Sequence, residues 1–294
     1  MTSIAAPAPV RRPRRKRDRD ETGVRARRWF IPYLLLAPGG LWLAVFFVFP
    51  LFSLGRLSLE DGGLSNYSQV LSDNSTVIIR TFTYAAIATL AAIVIGYPLA
   101  YVIATKGGRY KNLLLALVVL PFFVTYLVRT LAWKILLYDG GPVVGFLHNI
   151  GVLSESQGIL GSPFAVVAAL TYNFLPFMVL PIYVSIEKID WRLLEAAADL
   201  YASPARAFRK ITLRLSLPGL FAGTLLTFIP AAGDFVNSEL LGSDRTVMIG
   251  NIIEANFGRE FFRPELSALS FMLMAIILIG VAIYARMLGT EEIA

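Results

Sequence analysis

The chain has 294 residues, 56% of them hydrophobic and only 16% charged, with no cysteine and a formal net charge of +7. A composition this apolar, with a mean hydropathy of +0.65, excludes an ordinary soluble domain, and the absence of thiols excludes disulfides and thiolate metal ligands. What remains is an integral membrane protein, whose charges are read first as markers of topology.

Ten Lys and Arg residues lie between Arg11 and Arg28 ("RRPRRKRDRDETGVRARR"), ahead of the first apolar run. Their density, with the interspersed proline, makes residues 1–28 a disordered cytoplasmic tail that binds lipid headgroups, with no call for a nucleic-acid partner. The run at 29–55 far exceeds a signal-peptide h-region of about 7–15 residues, and no clear small-x-small cleavage site follows it. It reads as an uncleaved membrane helix. A bilayer core of about 30 Å needs roughly 20 helical residues, and five more runs satisfy this: 78–105, 112–137 (if Arg129 and Lys134 are tolerated in it), 161–186, 216–240 and 265–286. None alternates as a barrel strand does, so the fold class is an all-α membrane protein with six transmembrane helices.

With the N-terminus in the cytoplasm, twenty of the 27 Lys and Arg residues fall inside: the tail, Lys106, Arg109 and Lys111, six residues between Lys188 and Arg214, and Arg286. The other side holds eleven of the 20 acids, among them Asp61, Asp73, Asp139, Asp234, Glu239 and Glu254. The positive-inside bias therefore predicts that both termini are cytoplasmic.

None of the six lysines has the Gly-Lys-Ser/Thr setting of a phosphate-cradling loop, and the single histidine, His148, can build neither a zinc site nor a Ser-His-Asp triad. No catalytic residue, no metal and no cofactor bound by this chain is expected. The loop at 187–215 asks for another explanation. It contains "LLEAAADLYASPARAFRKITLRLSLPG" (Leu193 to Gly219), where Glu195, Ala196, Ala197 and Leu200 favour a helix. Ser203-Pro204 is an N-cap and first-turn pair for a second helix, whose apolar face continues through Phe208, Ile211 and Leu215. Alanines keep such a helix thin enough to enter a partner's groove, with Glu195 and the basic residues at the rim.

This stretch resembles the EAA loop of ABC importer permeases, whose pattern is Glu-Ala-Ala, three residues, Gly, nine residues, Ile, one residue, Leu-Pro. Glu195, Ala196, Ala197, Ile211 and Leu213 fall on it; Tyr201 stands at the Gly and Arg214 at the Pro. Glycine reaches the left-handed conformation of a sharp turn and tyrosine does so at a cost. Either the turn shifts to Ala202-Ser203, the reading preferred here, or coupling is weakened. From Leu120 to Tyr284 the chain is similar to the spermidine/putrescine branch of that family. The similarity lies in "LPFFVTYLVRTLAWKILL" (120–137), "LPFMVLPIYVSIEKID" (175–190) and "FIPAAGDFVNSELLG" (228–242). The resemblance implies a type I transmembrane domain over about 77–286, in the cytoplasmic (inner) membrane, acting as the permease of a polyamine importer. It also implies a second, homologous permease, two ATPase subunits that bind ATP-Mg, and an extracytoplasmic substrate-binding protein. Residues Glu195 to Ser203, with Phe208, would then couple to the ATPase. A type I permease for iron, sulfate or a sugar shares the fold and is the alternative; a secondary transporter fits less well, since no midplane carboxylate or internal repeat is visible.

For a cationic substrate the candidates are Asp234, Asn237 and Ser238, at i, i+3 and i+4 on one face of the fifth helix beyond Pro230, with Glu239 nearer the outer mouth. The aromatics Tyr126, Trp133, Tyr138 and Tyr172 are candidate cation-π partners. Asp234 has two further readings, as an interfacial carboxylate or as a partner of Arg129 or Lys134, and Tyr and Trp at helix ends commonly anchor at the interface. Gly219 and Gly223 form a close-packing pair.

Overall fold

The computed structural model describes residues 35–154, 158–256 and 263–288; the tail expected at 1–28 and the start of the helix expected at 29–55 lie outside the described residues. Among the described residues every regular element is a helix. The chain divides into two units between Arg56 and Leu57. The described part of the first is essentially α1 (Leu35–Leu57). Its hydrogen-bond ladder slips into a π-turn at Ala44–Val48, immediately before Pro50, whose ring and missing N–H a regular helix does not accommodate.

The second unit begins with α2 (Ser65–Lys106), 42 residues long, or about 63 Å at 1.5 Å per residue, roughly twice the bilayer core. Hydropathy marks only its apolar part. Its polar start is anchored by Asn66, whose Nδ2 donates to the carbonyls of Ser58 (3.1 Å) and Glu60 (2.9 Å), and by a 2.7 Å bond between the hydroxyls of Ser58 and Tyr67. The third apolar run does not form one rod. It comprises α3 (Lys111–Val119), a 3-10 turn over Leu120–Phe123 and α4 (Tyr126–Leu137), with a 93° bend between its two halves. Val124 and Thr125 are extended at the bend (ψ 135° and 146°).

After α5 (Pro142–Asn149) comes α6 (Pro163–Glu187), started by Pro163 in its first turn and by Ser162, whose hydroxyl accepts from the Ala165 N–H at 3.2 Å. Next are α7 (Arg192–Asp199) and α8 (Pro204–Ala232), the latter carrying a π-turn at Phe208–Thr212. The short helices α9 (Val236–Leu241) and α10 (Ile249–Asn256) precede α11 (Pro264–Leu288). Among the described residues five helices are long and apolar enough to cross a membrane, six if the bent pair is one span.

The core is a three-helix contact of α2, α6 and α8. Ile103, Met178, Val179, Ile182 and Ile186 fill one end of it, and Ala85, Ala88, Val166, Leu170, Ala231 and Ala232 the other. Lipid tails are as apolar as leucine, so this contact depends on close approach, which small residues permit. Ala85, Ala88, Ala92 and Ala100 form a fully buried strip along α2. On α8, a Cβ at Gly219 would collide with the Pro181 carbonyl and the Ser185 side chain, and one at Gly223 would lie 3.0 Å from the Met178 carbonyl. At the same contact the hydroxyls of Tyr97 and Ser216 are 2.7 Å apart.

Replacing Gly223 by leucine forces α8 away from α6 and is expected to destabilise the protein by about 1–3 kcal/mol. It should appear as a lower melting temperature of the purified protein, whereas Leu226→Ala, at a half-exposed position on the same helix, should leave the melting temperature nearly unchanged.

Candidate functional site

Two places in the second unit combine unusual backbone with exposed or buried chemistry. The first is the α7–α8 turn. Helix α7 ends in the double hydrogen bond of a Schellman motif: the Ala202 N–H donates to the Ala197 carbonyl and the Tyr201 N–H to the Ala198 carbonyl, each at 2.9 Å. That closure needs a left-handed residue, and Tyr201 supplies it at φ 58°. The turn has therefore not moved to Ala202-Ser203, as the preferred reading of the sequence expects. Tyrosine occupies the glycine conformation because the two bonds satisfy end carbonyls of α7, against a left-handed cost of roughly 1–2 kcal/mol. Ser203 then extends the chain (ψ 150°) and its carbonyl receives the N–H groups of Arg206 and Ala207.

The side chains of this turn point two ways. Trp191, Leu194 and Phe208 pack on the α2–α6 core, and the Phe208 ring meets Tyr97 and Tyr101 edge-on at 5.9 and 5.5 Å. Glu195, Ala196 and Ser203 are exposed and Ala197 and Ala202 are half-buried. Leu200 is 81% exposed and Tyr201 96%. A short helix is thus clamped to the bundle on one side and offers an apolar tip on the other.

The second place is the end of α8. The helix stops at Gly233, and Asp234, one residue ahead of the α9 N-cap Phe235, accepts the Asn237 N–H on Oδ1 at 2.9 Å, satisfying a first-turn donor of α9 from just outside the helix. The i, i+3, i+4 face expected on one continuing helix is replaced by this bond. Asp234 is 7% exposed. Its Oδ2 accepts from the Tyr126 hydroxyl at 2.5 Å, and Asn237 Nδ2 donates to the same hydroxyl oxygen at 2.5 Å. Asn237 Oδ1 in turn accepts from Thr130 Oγ1 at 3.2 Å and Asn173 Nδ2 at 3.0 Å. The partners of Asp234 are therefore Tyr126 and Asn237, and neither Arg129 nor Lys134 forms an ion pair with it. Tyr126 is the first residue of α4 after the 93° bend, so the breaks in two apolar runs meet at one hydrogen bond.

Of the four candidate aromatics only Tyr126 touches Asp234. Trp133 and Tyr172 pair with each other, ring centres 5.6 Å apart, and Tyr138 is exposed beyond α4. Glu239 is exposed and accepts from Asn251 Nδ2 at 3.0 Å. Asn251 also receives the Ser238 hydroxyl on Oδ1. Sequence reading passed over Thr130, Asn173 and Asn251. Asn173 had a usable signal, a lone amide inside the apolar run at 161–186; Thr130 and Asn251 had none.

Because its side chain gains no intramolecular hydrogen bond among the described residues, Tyr201 is expected to be a net strain. Tyr201→Gly should stabilise the α7–α8 turn by roughly 1 kcal/mol and Tyr201→Val should weaken it. Hydrogen–deuterium exchange of the 200–202 amides measures both; equal exchange in all three proteins would refute the strain.

Residues 92–288 match the model of the family described as binding-protein-dependent transport system inner membrane component. The chain is 35% identical to the spermidine/putrescine transport system permease protein PotB of Haemophilus influenzae, over 88% of this chain and 90% of that protein. To the PotB of Escherichia coli strain K12 it is 39% identical, over 74% of this chain and 82% of the relative. Its fold is similar to that of a bacterial alginate ABC transporter solved in complex with an alginate pentasaccharide-bound periplasmic protein. That likeness has a TM-score of 0.70 at 18% identity, covering 92% of this chain and 97% of the other. With its apolar helices, its length and this match over most of its described residues, the chain belongs to the binding-protein-dependent transport system inner membrane components and is a multi-pass membrane transport permease.

Proposed function

We propose that this permease forms the membrane path of an ATP-driven importer of polyamine cations, spermidine and putrescine. The observation that carries the substrate class is the Asp234 carboxylate, buried where two broken helices meet and touching an aromatic ring. A carboxylate at membrane depth is costly and faces a protein interior or a polar path, and a primary ammonium is its natural partner. Relatives whose names specify spermidine and putrescine transport, similar over most of the chain, point the same way.

On this reading a second, homologous permease completes the path, two ATPase subunits bind ATP-Mg, and an extracytoplasmic protein delivers the substrate. The segment from Glu195 to Ser203, held by Phe208, is the ATPase contact. Its exposed tip at Leu200 and Tyr201 continues into α8, one helical span from Pro204 to Ala232 with a π-turn near its start, roughly 43 Å at 1.5 Å per residue. A displacement of the turn is thereby carried along one rod to the residue before Gly233 and Asp234. The orientation that suits this has both termini and the α7–α8 turn in the cytoplasm and Asp234 in the outer half.

Asp234→Asn keeps the shape and removes the charge. It is expected to lower spermidine uptake five- to hundredfold, on the order of 1–3 kcal/mol, while the complex assembles and basal ATP hydrolysis persists; normal uptake would remove Asp234 from the path. The topology is checked on the natural cysteine-free background. Cysteines at the exposed positions Asp61 and Asp244 should react with an impermeant thiol reagent on intact cells and one at Arg206 should not; labelling at Arg206 would reverse the orientation.

A further inference from the structure

Arg129 sits one helical turn beyond Tyr126 on α4, only 8% exposed, yet Nε and Nη1 of its guanidinium have no hydrogen-bond partner among the described residues. What holds it is aromatic. Its Cζ lies 4.9 Å from the centre of the Phe122 ring and 5.5 Å from that of Tyr126. The Tyr126 ring is the same one whose hydroxyl is bonded to Asp234. One aromatic side chain thus has a carboxylate at its hydroxyl and a cation at its face.

We propose that Arg129 is a resident cation that keeps polyamine binding at Asp234 weak. This rests on the reading of Asp234 as part of a polyamine path. An ammonium approaching Asp234 across Tyr126 meets a guanidinium already holding the ring faces that would otherwise stabilise it, and it meets like-charge repulsion in a poorly screened setting. A transport site must bind well enough to admit its ion and loosely enough to release it. A buried carboxylate flanked by unoccupied aromatic faces would retain a di- or tri-cation; with Arg129 beside it, the fixed charges of the site balance. Among the described residues the guanidinium has no carboxylate partner, so it yields the ring to the passing ammonium without breaking an ion pair there.

The test uses the complete permease–ATPase complex in nanodiscs, with radiolabelled spermidine as the probe, and in parallel the turnover of uptake with the binding protein present. Arg129→Gln should bind spermidine roughly 2- to 30-fold more tightly than the native complex and transport it more slowly, while Arg129→Lys, which keeps the charge, should stay close to native in both. Arg129→Met serves as a second neutral variant if Arg129→Gln fails to assemble. Affinity that is unchanged or weaker in the neutral variants overturns the proposal. So does failure of both neutral variants to assemble while Arg129→Lys assembles, since the guanidinium would then be pairing with a carboxylate of another subunit. If the native complex and Asp234→Asn bind spermidine equally, the polyamine-path reading itself fails and this proposal falls with it.

Discussion

A helix that breaks at membrane depth frees backbone N–H and C=O groups that no water is there to receive, so the protein must supply their partners. The architecture around α8 follows from that constraint. Where α8 stops at Gly233, Asp234 takes up the Asn237 N–H in the first turn of α9. Its second oxygen binds Tyr126, at the restart of the other broken run. The two breaks are thereby joined through side chains. Asn237, Thr130 and Asn173 extend the bonding from α9 through α4 to α6, so a polar seam forms inside helices that look almost uniformly apolar in one dimension.

The seam matters mechanically because the helices carrying it are locked together elsewhere without polar groups. Gly219 and Gly223 bring the α8 backbone onto α6 at Pro181 and Met178, and buried alanines do the same for α2. Contacts this close transmit displacement, since a well-packed interface does not deform continuously. At one end of α8 lies the Schellman turn with its left-handed Tyr201, at the other the Asp234 bond to the Asn237 N–H. The two unusual backbone features of this region therefore lie at opposite ends of one rod.

Charge placement completes the picture. Lys111 and Glu187 pair at 2.6 Å where both are partly exposed, a contact worth little. Arg129 and Asp234 are both buried, close to the same tyrosine, and not paired with each other. In a low-dielectric interior two opposite charges gain most by meeting. Their separation by an aromatic ring leaves the carboxylate to hydrogen-bond donors and the cation to ring faces.

The sequence by itself determined the class, the helical fold and the family. A bilayer sets a minimum apolar length that hydropathy counts directly, and the Glu195-Ala196-Ala197 pattern with its spaced Ile211 and Leu213 is local in the chain. It also singled out Asp234 and Tyr126 as candidates, though separately. Tertiary structure alone decided that they touch, because their bond spans 108 residues and depends on two helix breaks that no periodicity marks. It decided that Tyr201, not Ala202-Ser203, turns left-handed: that choice balances a local steric cost against two end-of-helix hydrogen bonds, and composition does not weigh them. It extended α2 back to Ser65 through contacts of Asn66 and Tyr67 that hydropathy does not register. Burial is local and additive enough to be read along a chain; hydrogen-bond partners for buried polar groups come from distant segments, and only the packed helices bring them together.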